Sequence, residues 1–218
     1  MDATFSDDQR LFAETLRDIL DGTCPPEAVR ASWDDPAGWV DGLWDTLAAT
    51  GVLGLTAPGS CDGLGMDEVD LVLLLEELGR AACPEPVAEH AAVAVPLLRD
   101  HGSDKLVGEW LGRAATGNAV VTVASPVDDL VPAAAQADLI LLAADGALHA
   151  VPADRLACVE QESVDRSRRL ASVDWTPAPD TLLSDDSAVV DRCVDRGAWA
   201  AAGASQGPLA AGGYTHLR

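Results

Sequence analysis

The sequence predicts an α+β fold: an N-terminal helical bundle, a small antiparallel β domain and the start of a C-terminal helical domain. Three observations carry this prediction. Up to about residue 117, apolar positions recur at helical spacing between breakers at Cys24-Pro25-Pro26, Asp34-Asp35-Pro36, Ala57-Pro58-Gly59 and Cys83-Pro84. Between about 118 and 183 the chain changes to short β-type runs at 119–123, 138–142, 148–151, 157–160 and 170–175. From about Asp186 an alanine-rich helix carries Val189, Val190, Val194, Trp199, Ala200 and Leu209. The expected domains are therefore 1–117, 118–183 and 184–218.

Within the first region, Leu11, Phe12, Leu16, Ile19 and Leu20 form one helical face, capped by Ser6 or Asp7. Trp44, Leu47 and Ala48 form another, and Gly51 sits where a left-handed C-cap ends that helix. An apolar connector, 52–55, leads to a turn-rich loop containing Pro58-Gly59 and Gly63-Leu64-Gly65. Asp67 is placed to cap the next helix, with Glu68 and Asp70 in its electropositive first turn. Val69, 71–75 and Leu78 cover almost every direction around that helix, which predicts burial within a bundle. In the β region, Asp145-Gly146 is a tight-turn signal between two strands. In the last helix, Pro208 predicts a kink or an interruption.

Composition bounds the function. A chain of 218 residues, 48% hydrophobic and 23% charged, can bury a substantial core. The net charge of −22 opposes nucleic-acid binding, where a basic face carries affinity, and opposes anionic membrane surfaces. It leaves room for a ligand with a pyrophosphate, which needs only a few local donors. The acidic start, MDATFSDDQR, is unlike a basic signal segment, and no apolar run approaches the roughly 20 residues that span a bilayer, so a cytoplasmic protein is expected. Cys24, Cys61, Cys83, Cys158 and Cys193 contain no C-x-x-C pair and read as reduced structural thiols. His90, His101, His149 and His216 lack zinc-ligand spacing, so no metal site is expected.

The segment from Trp44 to Arg80, WDTLAATGVLGLTAPGSCDGLGMDEVDLVLLLEELGR, resembles the N-terminal helical domain of the acyl-CoA dehydrogenase family. The resemblance covers residues 4–100 through the opening helix, the tryptophan helix, the glycine loop, the "LEELGR" helix and the Cys83-Pro84-Glu85-Pro86 turn. It returns over 195–218, similar to the first helix of the family's C-terminal bundle. It implies an α,β-desaturation of an acyl-CoA thioester, of a fatty or steroid side chain, with FAD as hydride acceptor. It also implies a homo- or hetero-oligomer with another acyl-CoA dehydrogenase subunit. Steroid-degrading actinobacterial members look like heteromers of one complete and one reduced subunit.

The resemblance also marks where this chain departs from the family. The flavin strand usually carries threonine, glutamate and proline before a glycine-serine-aspartate loop. Here Ala124 replaces the threonine and Ser125 the glutamate, Pro126 survives, and Val127-Asp128-Asp129 follows without a glycine. Ser125 and Arg218 are the positions at which the resemblance implies cofactor binding, Arg218 matching the arginine that reaches a flavin pyrophosphate. The family's carboxylate base lies beyond Arg218, so no catalytic residue is expected here and the isolated chain is expected to be inactive. The alternative is a non-catalytic partner subunit that has lost flavin binding.

Other features read as structural. Glu76-Glu77 project about 100° apart on a helix and are expected to be solvated or helix-capping. Trp175 reads as a packed aromatic rather than the flavin-flanking tryptophan. The G-x-S-x-G run 203–207 lacks the preceding strand of a nucleophile elbow, so its small residues point to close helix packing. Arg166, Arg168 and Arg169 form the dense basic cluster, expected to pair with Asp165 and Asp174 rather than to meet a CoA phosphate.

Overall fold

Helix α1 (Asp7–Thr23) begins where Ser6 and Gln9 satisfy each other's backbone donors. The Gln9 N–H donates to Ser6 Oγ at 3.2 Å and the Ser6 N–H to Gln9 Oε1 at 2.8 Å, a reciprocal box that fixes the first turn. The computed structural model describes residues 4–36 and 38–213, with side chains as far as Pro208. Helix α1 buries Ala13, Leu16 and Leu20. Pro26, at the first position of α2 (Pro26–Ser32), starts a helix as well as ending one, because its fixed φ suits a first turn. Helix α3 (Leu43–Thr50) stops at Gly51, whose φ of 81° is the left-handed conformation a side chain would disfavour. Backbone bonds from Leu64, Gly65 and Met66 back to Gly54, Ala57 and Leu55 then fold the glycine loop over the buried connector.

Asp67 and Asp70 close a second capping box, but the turn they open, Glu68–Leu71, is 3₁₀ in form before α4 (Val72–Arg80) begins. The tighter winding shifts the helical phase. Val69, expected inside, is 52% exposed, while Leu71, Leu74, Leu75 and Leu78 are buried. Helices α1 and α4 run side by side in the same direction. Gln9 reaches Asp70, Arg17 reaches Glu77, Asp21 reaches Arg80, and Cys24 reaches the Ala81 carbonyl, so residue numbers rise together along both.

A π-helical turn, Ala88–Ala94, leads into α5 (Val95–His101). Short α6 (Asp104–Leu106), a second π turn at Val107–Leu111 and α7 (Gly112–Ala115) complete the helices before the strands. The strands are β1 (Val121–Val123), β2 (Leu130–Pro132), β3 (Leu139–Ala144), β4 (Ala147–Pro152), β5 (Ala157–Gln161), β6 (Leu170–Asp174) and β7 (Leu182–Ser184). One sheet has the order β1-β3-β4-β7 and the other β2-β6-β5. Every pairing is antiparallel except β1 with β3, which run parallel in the register Val121 to Leu139. Asp145 and Gly146 turn the β3–β4 hairpin with φ of 52° and 80°, the paired positive values of a two-residue hairpin turn.

Helix α8 (Ser187–Gly213) lies against α4 and the first π turn. Of the two expected effects of Pro208, an interruption does not occur; the helix runs through that position. Buried apolar residues from the helices and both sheets form one continuous core. No helix among the described residues is long and apolar enough to cross a membrane.

Candidate functional site

The loop leaving β1 is the segment on which a flavin site was expected. Ala124 is buried, and its N–H donates to the Leu141 carbonyl at 3.0 Å, so it continues the pairing of β1 with β3. Ser125 is exposed. Its Oγ accepts the Val127 N–H at 3.4 Å, its carbonyl accepts the Asp128 N–H at 3.0 Å, and the Asp128 carboxylate accepts the Leu130 N–H at 3.1 Å. These bonds make a turn that delivers the chain to β2. The strand's threonine, Thr122, is fully buried and donates to the Pro132 carbonyl at 2.8 Å, which ties β1 to β2. Arg218 lies outside the described residues.

Strand β1 is held in place by His90, a residue for which the sequence offered no role beyond the lack of metal spacing. His90 is fully buried on the π turn. Its Nδ1 accepts the Val121 N–H at 3.0 Å, and its Nε2 lies 3.1 Å from the Ala114 carbonyl, to which it donates in the tautomer this arrangement requires. Burial pushes its pKa down to about 4, against the raising influence of the two carbonyls, so the ring is neutral. Trp44 meets the ring edge-on at 5.1 Å and donates to the Gly117 carbonyl at 2.9 Å. The wider π turn places an imidazole between helix and strand. The one signal in the sequence is a lone histidine in an alanine-rich apolar run.

The arginine cluster joins the β5–β6 loop to the helical region. Arg166 pairs with Asp34 at 2.9 Å over the face of Trp33, and Arg168 pairs with Glu89 at 3.1 Å. Arg169 donates to the carbonyls of Ser32 and Asp35. The expected partners Asp165 and Asp174 are replaced because Asp165 instead closes its own turn, accepting the Ser167 N–H. The arginines, Trp33 and residues 160–163 line an open cleft of about 490 Å³.

Glu77 also departs from expectation. It is 4% exposed and accepts from Arg17 Nε at 2.9 Å and Arg80 Nε at 2.7 Å. Burial raises its carboxyl, but the two guanidiniums outweigh that and hold it below the usual range. It is a structural anion between α1 and α4. Trp175, as expected, packs on the core, with its ring 5.3 Å from that of His149. Ser205 is interior to α8, its Oγ donating to the Ala201 carbonyl, which rules out a nucleophile elbow at that position. Among the described residues no group of three His, Cys, Asp or Glu side chains is arranged to hold a metal ion.

The family described as "Acyl-CoA dehydrogenase, N-terminal domain" matches residues 6–118, more than half of the chain. This protein belongs to the acyl-CoA dehydrogenase family. Among curated proteins it is 31% identical over 187 residues to the acyl-CoA dehydrogenase IpdE2 of Mycolicibacterium smegmatis, covering 85% of this chain and 57% of that one. Among solved structures it is similar to the ChsE4-ChsE5 complex from Mycobacterium tuberculosis, with a TM-score of 0.87 at 20% identity over 100% of this chain and 69% of that chain. It is also similar to a glutaryl-CoA dehydrogenase from Mycobacterium smegmatis in complex with FADH2, with a TM-score of 0.78 at 19% identity over 98% and 67%. The chain thus spans a little over half the length of the curated relative.

Against the flavin of an acyl-CoA dehydrogenase, the loop after β1 is poorly equipped. At Ala124 a buried methyl stands where a hydroxyl donor is wanted, and the N–H beside it is already bonded. Ser125 has one hydroxyl proton to give, and Asp128 and Asp129 add negative charge. These residues do not by themselves make a flavin cradle.

Proposed function

We propose that this chain is a subunit of an acyl-CoA dehydrogenase complex, contributing to α,β-desaturation of an acyl-CoA thioester with a fatty or steroid side chain. Residues 1–117, 118–183 and 184–218 serve as its helical, β and C-terminal parts, and the complex works in the cytoplasm. The observation that carries the reading is a helical region that matches the family's N-terminal domain over residues 6–118, joined to a β1 loop with a buried methyl, Ala124, where the resemblance implies a hydroxyl. Such a chain works beside another acyl-CoA dehydrogenase subunit that binds FAD, and in that complex FAD serves as the hydride acceptor. Ser125 and Arg218 are the groups this chain offers toward that cofactor, while the carboxylate base comes from the complex.

The same Ala124 methyl favours a second reading, in which the chain is a non-catalytic partner that stabilises the active subunit. The visible absorption spectrum of the purified chain, alone and co-expressed with a second dehydrogenase subunit, tests the proposal. The expected result is a colourless chain that co-purifies with a yellow partner. A flavin band, or turnover of an acyl-CoA with an electron acceptor, in the chain alone overturns it. With the complex in hand, a rate unchanged by Ser125→Ala selects the supporting role over the contributing one.

A further inference from the structure

The open cleft between the end of α2 and the β5–β6 hairpin contains no residue of the β1 loop. Its volume of about 490 Å³ is that of a small-molecule site. Three arginines line it, and every bond they make to Asp34, Glu89 and the carbonyls at the end of α2 runs through a single nitrogen, Nη2. Arg169 spends its Nη2 on two of those carbonyls and anchors the hairpin. Arg166 and Arg168 are more than half exposed, and their Nε and Nη1 donors have no partner among the described residues. The Ser163 hydroxyl, on the same cleft, also makes no hydrogen bond among them. Opposite charge borders the cleft as well. Glu160 of β5 and Glu162 just beyond it are exposed and unpaired. A bare anion would meet these carboxylates, and a bare cation would meet the guanidiniums. A ligand that brings both charges together satisfies the whole lining.

We propose that this cleft binds the magnesium complex of a diphosphate group. The free N–H groups of Arg166 and Arg168 donate to phosphate oxygens, which suit the planar guanidinium fork, and Ser163 adds its hydroxyl. Glu160 and Glu162 hold the metal from the other side. Two carboxylates are too few to bind a metal ion alone, in keeping with the absence of a three-ligand cluster among the described residues. Magnesium is commonly held in this way, by one or two carboxylates, water and the phosphates of its ligand. The diphosphate can be inorganic or part of a nucleotide. Trp33, which borders the cleft beneath the Arg166 guanidinium, is the surface a nucleotide base would stack on.

Isothermal titration of the full chain with magnesium pyrophosphate and with magnesium adenosine diphosphate tests this, each repeated with EDTA in place of magnesium. The expected result is saturable binding at one site. It weakens by roughly tenfold or more in EDTA, in Arg168→Gln, and in the double variant Glu160→Gln with Glu162→Gln, as loss of charge-assisted contacts does. These side chains are exposed, so the substitutions leave the core intact. Pyrophosphate that binds as tightly as the nucleotide identifies the diphosphate alone as the recognised group. A nucleotide that binds roughly tenfold tighter, with a tryptophan fluorescence change lost in Trp33→Phe, identifies a nucleotide site. No saturable binding of either complex to the unsubstituted chain overturns the proposal. Affinity unchanged in Arg168→Gln places the ligand outside this cleft and overturns it too, and affinity unchanged in EDTA overturns the part given to the metal.

Discussion

Gly79 of α4 faces the backbone of Ala204 of α8 so closely that a Cβ on Gly79 would lie 1.8 Å from the Ala204 carbonyl oxygen. One turn further on, a Cβ on Gly207 would lie 2.1 Å from the Glu76 carbonyl oxygen and 2.3 Å from the Arg80 nitrogen. These obstacles are backbone, so neither helix can yield by rotating a side chain. Gly203 is different: its Cβ would meet Leu75 Cβ at 3.2 Å, a tight contact but one with a side chain rather than with backbone. Gly79→Ala and Gly207→Ala are each expected to cost about 3 kcal/mol, as severe overpacking does, and Gly203→Ala less than about 1 kcal/mol. Urea denaturation of the three variants checks this, and equal losses at all three sites would sink the distinction.

What the sequence conveyed and what it withheld divide along local and non-local lines. The Ser6 and Asp67 caps, the Gly51 stop and the Asp145-Gly146 turn were legible because each is decided within four residues. So was the small-residue run at 203–207. Strands β2 and β7 were not legible: three residues show no periodicity, and these exist through pairing with β6 and β4. The parallel pairing of β1 with β3 and the π turn under His90 are likewise products of packing. Of the site, the loss of a donor at Ala124 was visible in the sequence. That the Ser125 hydroxyl is taken into its own turn was not.

Glu77 ties α1 to α4 through Arg17 and Arg80. Glu77→Ala removes the anion, but Arg17 is half exposed and can rehydrate. The expected loss is therefore about 2 kcal/mol, below the 3–5 kcal/mol of a fully buried pair. Because the folded carboxyl is held below its usual range, its contribution is present above the unfolded pKa of about 4.3 and disappears as pH falls through the folded value. Glu77→Gln should flatten the acid limb below about pH 4, and an unchanged acid limb would show the pairing to be energetically idle.

His90 predicts a separate dependence at higher pH. Its folded pKa of about 4 lies below the ordinary 6.5, so the unfolded chain takes up the proton first as pH falls. Stability from the neutral ring is complete above about pH 6.5 and declines toward pH 4 by up to about 1.4 kcal/mol per unit, about 3 kcal/mol in all. Glu85, raised by burial, acts in the opposite sense, losing stability as pH rises. The difference between the stability curves of the native sequence and His90→Gln isolates the histidine. Parallel curves between pH 4 and pH 6.5 would overturn this assignment.

Ala82 closes helix α4 in the left-handed conformation, with φ of 50°, where a glycine is the usual choice. The bonds that demand it are the Cys83 N–H to the Leu78 carbonyl at 3.0 Å and the Ala82 N–H to the Gly79 carbonyl at 3.1 Å. An alanine there carries a strain of about 1 kcal/mol between its Cβ and the carbonyl that follows. Ala82→Gly relieves that strain while keeping both bonds, at the cost of a more flexible unfolded chain. The net expectation is a gain of up to about 1 kcal/mol, and Ala82→Val, whose branch sharpens the clash, should lose at least as much. Thermal melts of the two variants decide the matter. A glycine variant that melts below the native chain would mean that the turn is held by its neighbours and that the alanine carries no strain.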